Sequence, residues 1–170
     1  WQSPWWLEWA DFIWMGGEDF GLHGDLPSPS KREAAILHRD SYAYHLFHDK
    51  MALIPQSALM THGIAKGKFN PVDESEDSID SFVKDIIMYL GRGVSLWELY
   101  ISPSMLSKEH WEVISELFQW AQSNWPVLKK TKWIGGNPDL GQVYGYEHVL
   151  DSPDSGKWIG VLRNPSHRKQ

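Results

Sequence analysis

Three short apolar runs, beginning at positions 12, 53 and 94, are each followed by a segment with helical patterning. This alternation constrains the fold more than any other feature. Strand-like runs roughly 40 residues apart, with helices between them, suit parallel strands, since a parallel pair needs a crossover of about a dozen residues or more. The first run, residues 12–15, has the length of a buried strand and breaks at Gly16-Gly17. Ser30 and Glu33 then form a capping-box pattern ahead of a helix expected over 34–50. The second run spans 53–62, and a loop over 67–76 leads to the clearest helix, expected over 77–90. There Ile79, Phe82, Val83, Ile86, Ile87 and Leu90 recur at helical spacing, with Asp77 as the expected N-cap and Gly91 just past the end. The third run, 94–101, stops at Ser102-Pro103, and Ser107 caps a further helix to about Asn124. Beyond Pro126, residues 132–135, 142–148 and 157–163 are short β-rich segments separated by turn residues, as in an antiparallel sheet.

Composition narrows the partners. With 42% hydrophobic and 22% charged residues, the chain has enough apolar material for a packed core and is not a disordered type. A net charge of −6, without a Lys/Arg-rich run, disfavours nucleic acid. The absence of cysteine removes disulfides and thiolate metal sites. No apolar run reaches the ~18 residues that a membrane span needs. His45 and His48 share a helix face but lack a third ligand at matching spacing, so no metal and no cofactor is expected. Starting at Trp1, with no initiator methionine, the chain reads as a piece of a longer polypeptide.

Eleven tryptophans are a heavy load, and five lie within the first 14 positions. Most belong to the core, but the flat indole face also stacks on the C–H faces of sugars. Glu18 and Asp19 follow the Gly16-Gly17 break, so the expected strand hands two carboxylates to its C-terminal tip, the place where β/α barrels hold catalytic groups. A solvated acidic turn is the plain alternative. His62 lies at the end of the second run, where it serves either sugar hydroxyls or the barrel wall. Trp97 and Glu98 on the third run face opposite sides, because strand side chains alternate. Trp14 and Trp97 are candidate sugar platforms, with core packing the alternative for each.

Taken in order, several motifs look like one family. They are Trp5-Trp6-Leu7-Glu8-Trp9-Ala10-Asp11-Phe12-Ile13-Trp14, Gly17-Glu18-Asp19, Arg39-Asp40, Met60-Thr61-His62-Gly63-Ile64 and Trp97-Glu98-Leu99-Tyr100-Ile101. Trp133-Ile134-Gly135-Gly136-Asn137-Pro138, Val143-Tyr144-Gly145-Tyr146 and Leu162-Arg163-Asn164-Pro165-Ser166 continue the series. Together they resemble the C-terminal half of the barrel, and the start of the following β-sandwich, in bacterial glycoside hydrolases of the α-galactosidase-like clan. The resemblance implies an α/β fold: about the last three βα units of a (β/α)8 TIM barrel over 1–126, then antiparallel strands opening a C-terminal sandwich over 127–170. Since a whole barrel takes ~250 residues, three units are less than half of one.

It further implies a retaining α-glycosidase acting on α-linked galactose-type sugars through two carboxylates. The family pattern Trp-Arg-Ser-Gly-Asp-Asp falls on Trp14-Met15-Gly16-Gly17-Glu18-Asp19. Asp19 then matches the general acid/base and Glu18 is the neighbouring candidate, while the nucleophile strand lies outside this chain. Met15 stands where the family carries Arg, and Glu18 where it carries a first Asp. Trp14, His62, Trp97 and Glu98 are the expected substrate contacts. The implied partners are an oligosaccharide or glycoside and either the rest of the barrel or a second copy, since an open set of parallel strands leaves edges and an apolar interior uncovered. A non-catalytic carbohydrate-binding or structural fragment of a degenerate glycosidase is the rival expectation.

Overall fold

The computed structural model describes residues 3–14, 16–68, 77–151 and 156–165. Met15, Ser166 and most of the expected loop over 67–76 lie outside the described residues. The described residues form a mixed α/β fold of three long helices and small sheets.

The first parallel pair joins β1 (Ile13–Trp14) to β2 (Leu59–Met60), with Ile13 opposite Leu59. The second joins β3 (Ile64–Lys66) to β4 (Leu99–Ile101), with Ile64 opposite Leu99. Only residues 61–63 separate β2 from β3, so one stretch of chain passes from the first partner to the second across a bend. Gly63 makes that bend possible. A Cβ there would sit 2.0 Å from the Glu98 carbonyl oxygen, which also accepts the Ile64 N–H at 3.1 Å. The run expected over 53–62 is strand only at its end. Pro55 opens a single 3₁₀ turn over Gln56–Ala58 first, consistent with its fixed φ.

Helix α1 (Lys31–Tyr44) connects the first pair, and the Ser30 hydroxyl accepts the Glu33 N–H at 3.2 Å. The other half of the expected capping box is missing, because the Glu33 carboxylate is drawn to Arg163 and Lys84. A π-type turn over His45–Asp49 continues the helix. In α2 (Ile79–Gly91) the N-cap is Ser78, whose hydroxyl accepts the Ser81 N–H at 3.1 Å. Asp77, the expected cap, instead receives Arg32 at 2.6 Å and Lys66 at 3.3 Å. A buried guanidinium out-competes a backbone amide for the carboxylate. The helix also runs on through Gly91, and Gly93 (φ +69°) makes the left-handed exit. Helix α3 (Lys108–Leu128) begins at a Ser107–His110 capping box and carries Pro126 within its last turn, past the expected end near Asn124.

The apolar stripe of α2 buries Phe82, Ile86, Tyr89 and Leu90 against Ile64 of β3 and Ile114, Ala121 and Leu128 of α3. Ile87, the outermost position of the expected stripe, is exposed. Strands β5 (Thr131–Gly135), β6 (Tyr144–Leu150) and β7 (Lys157–Arg163) form an antiparallel sheet in that order. Tyr144 and Tyr146 of β6, with Val161 of β7, pack on Ile36 and Leu37 of α1 and Met88 of α2. The expected division at 126/127 therefore falls inside α3, and the strands beyond it share a core with the helices before it.

That sheet covers the second face of α1, which buries Arg32, Glu33, Arg39 and Asp40 along with its apolar residues. Buried charges persist only with partners. Asp85 of α2 accepts Arg32 at 2.7 Å and Arg39 at 3.1 Å, and Asp40 accepts Arg92 at 2.7 Å. Among the described residues, no helix is long and apolar enough to cross a membrane.

Candidate functional site

The chain leaves β1 through two glycines in the left-handed region, Gly16 (φ +91°) and Gly17 (φ +86°). L-residues pay to enter that region and glycine does not. The turn closes when the Phe20 N–H reaches the Gly17 carbonyl at 3.1 Å. From α1, the His38 Nε2 hydrogen-bonds the Glu18 carbonyl oxygen at 2.9 Å and packs on Gly21, where a Cβ would meet it at 2.8 Å. The turn so fixed sends neighbouring acids in opposite directions. Glu18 is exposed, and Asp19 has no solvent exposure.

Asp19 is held by the bend between β2 and β3. Its Oδ2 accepts the His62 backbone N–H at 2.6 Å, and its Oδ1 meets the His62 ring at Nδ1, 2.8 Å away. With Asp19 as a carboxylate, which only accepts, this contact requires the imidazole proton on Nδ1. Nε2 is left with no hydrogen-bond partner among the described residues. The His62 ring is 18% exposed while the carboxylate behind it is sealed, so the imidazole is the face of this pair that meets solvent.

Aromatic groups surround that face. The Phe20 ring lies 4.9 Å from the His62 ring, tilted by 44°, and the Tyr100 ring lies 6.0 Å away. A Cβ on Gly17 would stand 3.6 Å from Cζ2 of Trp14 and 3.9 Å from Cε1 of His62, so the bare glycine keeps the gap between those rings open. Tyr100 donates to Glu98 Oε2 at 3.1 Å. Its phenol is held above the ordinary value by burial, then by the Glu98 charge and that hydrogen bond, with Asp19 adding a smaller push. Behind the acid, the buried Arg39 guanidinium feels the Asp19 charge. Its pKa is nonetheless lowered by burial, with Asp85 opposing.

Five of the expected positions thus have clear places. Trp14, Asp19 and His62 gather at the C-terminal ends of β1 and β2, and Glu98 joins them through Tyr100 from the start of β4. Glu18 lies on the outer side of the same turn. Trp97 does not join them: its ring packs edge-on against Phe118 and Trp125 of α3, at 5.6 and 5.8 Å, and its Nε1–H donates to the Val94 carbonyl at 2.9 Å. Tyr100 and His38 were not among the expected site residues. Tyr100 was legible in principle, since it stands two positions beyond Glu98 and strand residues at that spacing share a face.

Chemically, the cluster offers an imidazole oriented by a carboxylate, a phenol paired with a second carboxylate, and exposed aromatic faces from Trp14 and Phe20. It can accept protons and hydrogen-bond hydroxyl groups. Among the described residues no group of three or more His, Asp or Glu side chains is placed to hold a metal ion. Compared with protein-family models, characterised proteins and solved structures, the chain matches none of them.

Proposed function

We propose that this chain is the C-terminal part of a retaining glycoside hydrolase of the α-galactosidase-like type, cleaving α-linked galactose-type sugars with a nucleophile supplied by polypeptide outside it. The observation that carries the reading is the meeting of Asp19 from the end of β1 with His62 beyond β2, beside the Glu98–Tyr100 pair at the start of β4. Asp19 and His62 follow the C-terminal ends of β1 and β2, the end at which barrels hold functional groups, and the Glu98–Tyr100 pair meets them from the start of β4. The order β1–α1–β2/β3–α2–β4–α3 supports an arc of three βα units from a (β/α)8 barrel. Trp14 and Phe20 supply apolar faces of the kind on which a pyranose stacks.

The test is hydrolysis of aryl α-galactosides by the full-length polypeptide, wild type against Asp19→Asn. Loss of turnover by roughly 10²–10⁴ supports the reading. Unchanged turnover removes Asp19 from the mechanism.

One observation favours a second reading, a carbohydrate-binding or structural fragment without catalysis. Asp19 is fully buried and both its oxygens are occupied, as in a purely architectural carboxylate. Galactoside binding with no hydrolysis, even by the full-length polypeptide, selects that reading.

A further inference from the structure

We infer that the proton-transfer atom of this site is His62 Nε2, and that Asp19 is a positioning residue acting through the imidazole. This rests on the glycoside hydrolase reading but assigns the chemistry to a different side chain. Asp19 has no exposed surface, its Oδ2 accepts the His62 backbone N–H at 2.6 Å, and its Oδ1 lies 2.8 Å from the His62 ring at Nδ1. A ligand outside cannot reach it without unmaking both bonds. The imidazole does open outward. Its ring borders Phe20 and Tyr100, and its Cε1 edge faces the gap beside Gly17 and Trp14. A carboxylate at Nδ1 fixes one tautomer, aims the lone pair at Nε2 and stabilises the imidazolium that forms when Nε2 takes a proton.

In the water-attack half of a retaining cycle, Nε2 takes one proton from the attacking water. The water oxygen bonds to the anomeric carbon as the bond to the outside nucleophile breaks, and that electron pair returns to the nucleophilic carboxylate. In the next bond-cleaving half, the imidazolium gives the same proton to the glycosidic oxygen. The carbon–oxygen electron pair leaves with that oxygen while the carboxylate attacks the anomeric carbon. Protons and electrons balance over the two halves, with no co-reactant beyond water and the carboxylate.

The test has two independent arms. Nitrogen-15 NMR of the histidine rings in the 170-residue chain reads the tautomer directly. The expected result is a protonated Nδ1 and an unprotonated Nε2 for His62 at neutral pH, with the tautomers mixed in Asp19→Asn. A protonated Nε2 with bare Nδ1 in the wild type overturns the inference, whatever the substrate proves to be.

The kinetic arm uses α-galactosides in the full-length polypeptide. His62→Asn keeps a donor toward Asp19 but removes the atom at the Nε2 position, so it should lose roughly 10²–10⁴ in kcat, the same loss expected of Asp19→Asn. The double variant should be no more than about tenfold worse than the poorer single one, because the two residues act as a unit. Near-normal kcat in His62→Asn, with Asp19→Asn inactive, overturns the inference and returns the proton to Asp19. No hydrolysis by any form, with the expected tautomer intact, overturns it through the glycoside hydrolase reading on which it rests. Should Asp19→Asn fail to fold, the wild-type tautomer and His62→Asn decide the matter.

Discussion

Arg92 Nε donates to Asp40 Oδ1 across 2.7 Å, and solvent reaches neither side chain. The same carboxylate accepts the hydroxyls of Tyr144 at 2.6 Å and Tyr146 at 2.8 Å. One acid in α1 thereby ties the end of α2 to the central strand of the antiparallel sheet. Removing one partner of a buried pair leaves an uncompensated charge and costs about 3–5 kcal/mol, more than the pair itself contributes. Asp40→Ala should therefore lower stability by about that amount in urea unfolding, and Asp40→Leu with Arg92→Met should recover much of it. A loss under about 1 kcal/mol in Asp40→Ala would mean that water or another group reaches Arg92.

The turn after β1 and the bend between β2 and β3 yield a contrast between two glycines. At Gly17 an added methyl meets nothing closer than 3.6 Å, so only the positive φ of 86° is costly. Gly17→Ala should lose about 1–2 kcal/mol. At Gly63 the methyl would sit 2.0 Å from a backbone oxygen in the adjoining strand, which no rotamer change relieves. Gly63→Ala should be the more damaging, by at least about 1 kcal/mol. It should also move Glu98 away from Ile64, because the Glu98 carbonyl is both the obstacle and the acceptor of the Ile64 N–H. Equal midpoints for the two variants in denaturant would contradict this account.

Patterning gave the helices because they answer to local rules: an N-terminal hydroxyl, a stripe at helical spacing, a glycine exit. Both capping errors came where a distant residue competed for a local one. Asp77 was lost as a cap to Arg32 and Lys66, and half the Ser30–Glu33 box was lost to Arg163, which lies 130 positions along the chain from Glu33. The parallel strands were harder to delimit. They are only two or three residues long, and a sequence period cannot show where Gly63 switches partners. In the site, the Gly-Gly turn announced that Asp19 would be carried to a strand tip. That it would lie beneath His62 depends on a bend 43 residues away, invisible to spacing. Trp97 shows the converse, an aromatic residue with a sugar-binding look that α3 claims for packing.

Among the described residues, β1 and β4 are each hydrogen-bonded along one side only. Trp5, Trp6 and Trp9, just before β1, are 79%, 58% and 79% exposed. Unpaired parallel edges beside bare indoles favour contact with another polypeptide. The isolated chain should therefore self-associate, with a mass by light scattering that rises with concentration. Trp5→Ser with Trp9→Ser should shift that curve toward monomer. A concentration-independent monomer would count heavily against an open arc of barrel strands.

Two histidines should respond to pH with opposite signs. His45 is raised above 6.5 chiefly by its hydrogen bond to Asp49, burial opposing and Asp139 reinforcing. Ser41 and His23 share the Asp139 carboxylate. A raised folded-state value means that the His45 contribution is fully present below the unfolded value and fades as pH rises through the folded one. His148 is the reverse. It is lowered from 6.5 by burial, although the Leu128 carbonyl 2.8 Å from its Nδ1 works against that. It is folded in as the neutral form, so its contribution holds above the unfolded value and is lost on acidification. Urea unfolding between about pH 5 and pH 9 separates the two. The deficit of His45→Gln relative to wild type should be largest at the acid end and shrink as pH rises. For His148→Gln the deficit should grow as pH rises from acid to neutral. Parallel curves for both variants would show that neither imidazole changes its protonation on folding, and would remove the Asp49–His45–Asp139 bridge as a charged link between the end of α1 and the turn before β6.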